Sequence, residues 1–277
     1  MDMNALSAAG EGHGRPARQP APLSTTVVWH DLECGAYTAD LPLWRELAAG
    51  ADAGAPSRSV LDVGAGSGRV ALDLAGRGVM VTALDLDAEL LRALRDRAAA
   101  ADIQTVETVR ADARTFELAR QDHAVCLAPM QTIQLLGGAS ARIAFLRRAR
   151  MHLAPGGVLA CAIVTDVAPF DCSAGDLGPS AEVARLGGVT YISRSVRLHV
   201  GRRTLRIERE RRILAGDDAG EAAPPGPAWE HDVVELDRVS VAQLQHEGRE
   251  AGLTPTGARA ISATEEHTGS VAVLFGA

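Results

Sequence analysis

The chain has 277 residues, of which 47% are hydrophobic and only 3% aromatic, and its formal net charge at pH 7 is −7. These values predict one large domain with additions, built on an aliphatic core, and the negative charge disfavours a broad nucleic-acid-binding surface. We expect a cytoplasmic protein without a membrane span, because no run reaches about 18 apolar residues and the N-terminus lacks an apolar secretion signal. The four cysteines have no paired metal-ligand spacing, so no metal site is expected.

The first part of the chain is predicted to pass from a disordered tail to an α/β core. Residues 1–24 are rich in Gly, Pro and Ala, which is typical of disorder, and residues 25–56 are predicted to form an N-terminal lid with a helix. In residues 57–166 strand and helix patterns alternate, which predicts a doubly wound, mainly parallel sheet. Strands are expected at 59–63, 79–84, 105–111, 123–128 and 158–165, helices at 67–76, 88–101 and 139–152, and a Pro-Gly turn at 153–157.

The second part of the chain is predicted to add a small antiparallel sheet. Polar and apolar residues alternate in residues 167–239, and three strands are expected there, at 190–200, 203–214 and 229–239, with a flexible loop at 215–228. This insertion would cover an acceptor pocket, form a homodimer contact, or serve only as structure. Residues 240–277 are predicted to complete the core sheet with a helix at 241–251 and antiparallel strands at 255–261 and 270–275.

Three glycines follow the first predicted strand at alternate positions, in the run Ser59-Val-Leu-Asp-Val-Gly-Ala-Gly-Ser-Gly-Arg69. The second strand ends in Asp85, about twenty residues beyond the first glycine. Glycines allow the backbone to approach a ligand closely, and a carboxylate at the end of the second strand can accept two hydrogen bonds from a ribose diol. The pattern therefore predicts a nucleoside pocket at the carboxyl edge of the sheet. A dinucleotide fingerprint would need its last glycine at Arg69.

With the acid two residues before Gly64, this run resembles motif I of the class I S-adenosylmethionine (SAM)-dependent methyltransferases of the small-molecule type. The resemblance covers residues 25–165 closely and 240–277 in outline, and it implies a seven-stranded Rossmann-like sheet that binds SAM. Asp62 would attract the methionyl ammonium, and Asp85 would bind the ribose hydroxyls. Asp112 would accept a hydrogen bond from the adenine amino group, or alternatively cap a turn. The complete set of implied cofactor residues is Asp62, Gly64, Ala65, Gly66, Gly68, Asp85, Leu86, Asp112, Ala113 and Leu127.

The segment after the fourth strand, residues 127–134, bears on the acceptor. It reads Leu-Ala-Pro-Met-Gln-Thr-Ile-Gln and lacks the Asn/Asp-Pro-Pro-aromatic tetrad of enzymes that methylate DNA adenine or protein glutamine. The expected acceptor is therefore a small molecule with an N, O or C nucleophile, methylated by in-line displacement through proximity and orientation. The acceptor-binding candidates are Trp29, Tyr37, Met130, Gln131 and Gln134, and the candidates for a general base are His30, Tyr37 and His231.

Three alternatives to methyl transfer stay open on the residues alone. The same pocket would suit an enzyme that transfers the aminocarboxypropyl group of SAM or cyclises it. An NAD-dependent oxidoreductase is disfavoured by the glycine spacing. A non-catalytic SAM-binding module is disfavoured by the intact glycines together with Asp85 and Asp112.

Overall fold

The computed structural model of the protein describes residues 23–50, 59–215, 228–264 and 267–277. The predicted disordered tail lies outside the described residues as far as residue 22. The same holds for the junction of lid and core at 51–58 and for most of the loop predicted at 215–228. Within the described ranges, no helix is both long and apolar enough to cross a membrane.

Helices and strands alternate through the first half of the chain. They are α1 (Thr25–His30), a π-helical turn (Asp31–Gly35), α2 (Leu41–Gly50), β1 (Ser59–Val63), α3 (Arg69–Ala75), β2 (Met80–Asp85), α4 (Ala88–Ala100), β3 (Val106–Arg110), β4 (His123–Ala128), a 3₁₀ turn (Thr132–Leu135), α5 (Ala139–Met151) and β5 (Leu153–Ile163). The second half contains β6 (Phe170–Asp171), a 3₁₀ turn (Cys172–Ala174), β7 (Glu182–Leu186), β8 (Val189–Val200), β9 (Thr204–Ala215), β10 (Glu230–Asp237), α6 (Val241–Glu250), β11 (Thr254–Ile261) and β12 (Ser270–Gly276).

The core is a seven-stranded sheet with the order β11-β12-β5-β4-β1-β2-β3. The first five strands of the chain are parallel, and β12 and β11 add an antiparallel pair at one edge. Every residue of β1 and β4 is buried, as is typical of central parallel strands that are covered on both faces. The predicted doubly wound α/β fold is therefore confirmed.

Charged side chains fix the helices that flank the site. The carboxylate of Asp87 accepts the backbone N–H of Glu89 at 2.7 Å and caps α4. Arg69, at the start of α3, donates from both terminal nitrogens to the carboxylate of Asp40 at 2.6 and 2.8 Å, and so ties α3 to the segment before α2. This position, where a dinucleotide fingerprint would have its last glycine, therefore holds a structural ion pair.

The turn predicted at residues 153–157 is wrong as stated, because β5 runs through it. His123 pairs with Leu153, whereas Val125 pairs with Val158, so the extra residues of β5 form a bulge against β4. Gly156 has a φ of +78°, which an L side chain rarely adopts. The Pro-Gly-Gly sequence thus bends a strand and does not end one.

The described residues of the antiparallel insertion form five strands, and the three predicted strands are the long ones. Its order is β10-β9-β8-β6, and β7 also pairs with β8. The 12 residues of β8 give room for β6 at one end and β7 at the other. Both missed strands are too short to show a clear alternation in sequence. Leu205 and Leu236 pack with Val164 and attach this accessory sheet to the chain just after β5.

Candidate functional site

A cavity of about 500 Å³ lies at the carboxyl edge of the parallel sheet. Asp62 and Asp85 reach it from β1 and β2, Asp112 follows β3, and Met130 follows β4. Open α/β sheets bind ligands at this edge because the loops after neighbouring strands meet there. The predicted residues that line this cavity are His30, Asp62, Gly64, Ala65, Asp85, Leu86, Asp112, Ala113, Met130 and Gln131.

The three glycines after β1 all have positive φ, with values of +74° for Gly64, +55° for Gly66 and +101° for Gly68. A Cβ on Gly64 would lie 2.5 Å from the methyl group of Thr132, and one on Gly66 would collide with the ring of His30. The loop is therefore closely covered by other residues of the chain. Gly66 and Gly68, which were predicted with Gly64 as cofactor residues, do not line the cavity.

The carboxylate of Asp85 is held in one orientation by two backbone groups. One oxygen accepts the N–H of Gly66 at 2.8 Å, and the other accepts the N–H of Asp87 at 2.9 Å. Each carboxylate oxygen can accept more than one hydrogen bond, so both remain able to accept from a ligand hydroxyl. The arrangement suits a pair of adjacent hydroxyl groups.

Asp62 is fully buried where β1 meets the cavity, and neither of its carboxylate oxygens has a hydrogen-bond partner among the described residues. Burial raises the pKa of this carboxyl group to about 7. A buried carboxylate without a partner is costly unless something compensates it. A cationic group in the cavity beside Asp62 would supply that compensation, and the methionyl ammonium of SAM is such a group.

Asp112 both lines the cavity and holds the turn that follows β3. Its carboxylate accepts the backbone N–H of Arg114 at 2.8 Å and the guanidinium Nε of the same residue at 2.9 Å. These hydrogen bonds lower the pKa of Asp112. The turn-capping alternative for Asp112 is therefore observed, and its place in the cavity wall leaves it open to a ligand amino group as well.

The segment Thr25–Gly35, here called the lid segment, covers the glycine loop. The ring of His30 lies over Gly66, and its Nδ1 is 3.2 Å from the hydroxyl of Ser67. That hydroxyl donates to the carboxylate of Asp31 at 2.6 Å, and Arg97 of α4 forms an ion pair with the same carboxylate. Burial alone would raise the pKa of Asp31, but the hydrogen bonds from these neighbours outweigh it and the pKa lies well below its usual value.

The lid segment is also bound to the accessory sheet. Glu33 accepts two hydrogen bonds from Arg211, at 2.7 and 2.8 Å, and one from Ser193 at 2.8 Å. Trp29 packs edge-on against Tyr191, with ring centroids 5.4 Å apart, and is only 8% exposed. Trp29 thus anchors the lid segment and does not line the cavity, which corrects its prediction as an acceptor-binding residue.

Two more acceptor candidates are buried away from the cavity. Tyr37 packs against the ring of His267 and lies beneath the guanidinium of Arg69. Gln134 donates to two backbone carbonyls, and its carbonyl oxygen accepts the N–H of Val164 at 2.7 Å. Both are structural here, because a buried amide or ring is held by the groups that enclose it.

The placements of Leu127 and His231 also differ from the prediction. Leu127 is fully buried in β4 and does not line the cavity, which the chain reaches only at Pro129. His231 lies on β10, where it borders a separate hollow on the accessory sheet. Neither residue joins the predicted cofactor and acceptor groups.

Met130, a predicted acceptor-binding residue, has a φ of +51°, which is unusual for a residue other than glycine and is typical of functional turns. Several other residues in the cavity wall were not predicted. Leu135 is 56% exposed although it is a large aliphatic residue, and Cys34 comes from the lid segment. The full unpredicted set is Cys34, Arg69, Val70, Leu84, Leu90, Ala111, Arg114, Pro129, Thr132, Leu135 and Leu136. Pro129 and Thr132, which lie within the predicted acceptor segment, and Leu135 and Leu136, which follow it directly, could have been suspected from sequence.

The comparisons with known proteins agree with this geometry. Residues 60–157 match the model of a family described as methyltransferase domain. That range runs from β1 to the bulge in β5 and includes the glycine loop, Asp62, Asp85 and Asp112. A search of curated protein sequences finds no match.

Solved methyltransferase structures share the fold over most of the chain. The sugar N-methyltransferase KedS8 from Streptoalloteichus is 17% identical, with a TM-score of 0.66, and the match covers 97% of this chain and 98% of KedS8. The amino pentose methyltransferase CalS10 from Micromonospora echinaspora, solved with SAM, is 21% identical, with a TM-score of 0.65 and coverage of 92% and 99%. The CcbJ methyltransferase from Streptomyces caelestis is 23% identical, with a TM-score of 0.61 and coverage of 87% and 96%.

Proposed function

We propose that the protein is a SAM-dependent methyltransferase that methylates an amino group of a small molecule, and the match of residues 60–157 to a methyltransferase domain supports this. The observation that carries the proposal is the convergence of Asp62, Asp85 and Asp112 on one cavity beside the glycine loop. Each of the three carboxylates suits one polar part of an adenosyl amino acid.

Different residues of the cavity would bind different parts of the cofactor. Asp62 would hold the methionyl ammonium, Asp85 the two ribose hydroxyls, and Asp112 the adenine amino group. Leu86 is 62% exposed and lies in the cavity wall, where it would pack on the adenine ring. When bound, SAM supplies a methyl group that is already activated by a positive sulfur.

The chain itself would orient the acceptor and exclude water from the cavity. The lid segment covers the glycine loop, and the cavity continues toward Met130, Gln131 and Leu135, where an acceptor would lie. Orienting a nucleophile and shielding it from water can supply much of the rate acceleration of such a reaction.

The charges of the cavity disfavour a polyanion as acceptor. Both arginines in its wall are already paired, Arg69 with Asp40 and Arg114 with Asp112. The cavity therefore offers no described lining arginine that is free for a phosphate. KedS8, a sugar N-methyltransferase, and CalS10, an amino pentose methyltransferase, share this fold and support an amine of a small molecule as the acceptor.

A product analysis tests the proposal. The protein is incubated with SAM and a panel of amino sugars, with glucosamine as one member, and with the matching hydroxyl sugars as controls. We expect S-adenosylhomocysteine (SAH) and an N-methylated product from amines only. Methylthioadenosine in place of SAH would identify aminocarboxypropyl transfer or cyclisation of the cofactor, and methylation of the hydroxyl sugars alone would contradict the choice of nitrogen.

We also propose that the accessory sheet forms a homodimer contact. Val183 on β7 and Val233 on β10 are aliphatic side chains that are 53% and 46% exposed, and a second chain on either edge of this sheet would cover one of them. Light scattering would give twice the monomer mass, and Val233→Glu would reduce it. A monomeric wild-type protein would contradict this contact.

A further inference from the structure

A chain of hydrogen bonds links the lid segment to the glycine loop beside the cavity. Nδ1 of His30 contacts the hydroxyl of Ser67 at 3.2 Å, and this hydroxyl contacts the carboxylate of Asp31 at 2.6 Å. Arg97 completes the chain from α4 with a second donor to Asp31, at 3.0 Å. The three elements that meet here are far apart in sequence, so the arrangement is specific to the folded protein.

The direction of each hydrogen bond follows from the charge of Asp31. Its pKa is held below the usual value, so it is ionised at neutral pH and can only accept. The hydroxyl of Ser67 must then donate to Asp31, and it has only its lone pairs left for His30. Nδ1 of His30 is therefore the nitrogen that carries the proton, and Nε2 of the neutral ring does not carry one.

Nε2 of His30 makes no hydrogen bond within the part of the chain that the structure describes. The ring lines the cavity, and its Nε2 edge packs over Gly66 of the glycine loop. The other candidate bases lie outside the cavity or are unsuited. Tyr37 and His231 do not line it, and burial raises the pKa of the Cys34 thiol to about 11.

We propose that His30 is the proton acceptor for the amino group of the methyl acceptor, with Ser67 and Asp31 as positioning residues. The inference rests on the proposed function. An acceptor ammonium must lose one N–H proton before its nitrogen has a lone pair for attack. Nε2 takes this proton, Asp31 stabilises the resulting imidazolium through Ser67, and the proton later leaves to solvent water. The other charged side chains in the same cavity wall are Asp62, Asp85 and Asp112 and the paired Arg69 and Arg114.

The tautomer of His30 can be measured without any acceptor. The full chain is labelled with ¹⁵N-histidine, saturated with SAH and examined by long-range ¹H–¹⁵N NMR at about pH 8.5, where an imidazole is neutral. The signals of His30 are those lost in His30→Gln. We expect the Nδ1–H form in the wild type and in Ser67→Thr, and a shift toward the Nε2–H form in Ser67→Ala. An Nε2–H ring in the wild type, or no change in Ser67→Ala, would overturn the proposal.

The kinetic test uses glucosamine as the probe amine. His30→Ala should lower kcat by about 10²- to 10⁴-fold, the range of general base catalysis, and added imidazole should restore part of the loss. His246→Ala is the control, because this residue lies on α6 with 73% of its side chain exposed, and its kcat should stay unchanged. An equal fall in SAH affinity and kcat, without imidazole rescue, would assign His30 to lid structure instead. No turnover of any amine by the wild type would overturn the proposed function and this role together, whereas turnover with an Nε2–H ring would overturn only the role of His30.

Discussion

The buried carboxyl of Asp62 makes ligand affinity depend on pH. Its pKa in the folded protein is raised from 3.8 to about 7, so the group is mostly neutral at pH 6 and mostly ionised at pH 8. If only the ionised form binds the ligand ammonium, lowering the pH to one unit below this pKa costs about 1.4 kcal/mol of binding free energy. We therefore expect wild-type protein to bind SAH about tenfold more weakly at pH 6 than at pH 8.

Substitution of Asp62 by Asn removes this dependence because the amide cannot ionise. At pH 8 the variant lacks a charge-assisted hydrogen bond to the ammonium, which is worth about 1.5–3 kcal/mol, so SAH should bind about 10- to 150-fold more weakly. Between pH 6 and 8 its affinity should be nearly constant. Isothermal titration calorimetry with SAH at three pH values measures both effects.

Stability of the ligand-free protein should change in the opposite sense. A raised folded-state pKa means that the contribution of Asp62 to stability is fully present below pH 4 and is lost as pH rises through about 7. The shift corresponds to at most about 4 kcal/mol at pH 8, and Asp62→Asn should recover part of it. Urea unfolding of both proteins at pH 5 and 8 tests this. The reasoning is refuted if SAH affinity varies with pH equally in the wild type and in Asp62→Asn.

Four further substitutions separate binding from stability. Asp85→Ala should weaken SAH binding by about 1–3 kcal/mol in calorimetry, whereas Asp87→Ala should lower stability by about 1 kcal/mol through loss of the α4 cap and leave SAH affinity intact; equal affinities for the two variants would contradict this. Gln134→Leu should cost at least about 2 kcal/mol in urea unfolding, because it leaves buried backbone groups without partners, and an unchanged midpoint would show that they find others. Arg142→Met should cost about 3–5 kcal/mol by leaving Glu247 buried and unpaired, which thermal unfolding with and without Glu247→Gln would measure.

The parts of the molecule that were predicted from sequence depend on local patterns. The bounds of β1, β2 and β4 follow closely from apolar runs, and the places of Asp62 and Asp85 follow from their position at the end of such a run. Because parallel strands end at a common edge, position within one strand is enough to predict that these side chains meet. The spacing of Gly64, Gly66 and Gly68 is also a local pattern, and it predicts SAM and not a dinucleotide as the ligand class.

The parts that were missed depend on contacts between distant residues. Gln134 was predicted to bind the acceptor because it is polar and follows β4, but its amide is satisfied by backbone groups of residues 164 and 237. Trp29 was expected at the ligand for a similar reason and is instead packed on Tyr191. A polar or aromatic residue near a site in sequence cannot be distinguished from a structural one until its partners are known.

The lid segment shows why the accessory sheet matters to a cavity that it does not line. Asp31 and Glu33 are two residues apart in the π-helical turn, so their side chains point to different sides. Asp31 is held by Arg97 of the core, and Glu33 is held by Arg211 of the accessory sheet. The lid segment, which places His30 over the glycine loop, is thus fixed between the core and the accessory sheet. Loss of either ion pair would loosen the imidazole ring of His30. It follows that the accessory sheet influences the chemistry of the cavity through the position of the lid segment, even where none of its own side chains reaches the ligand.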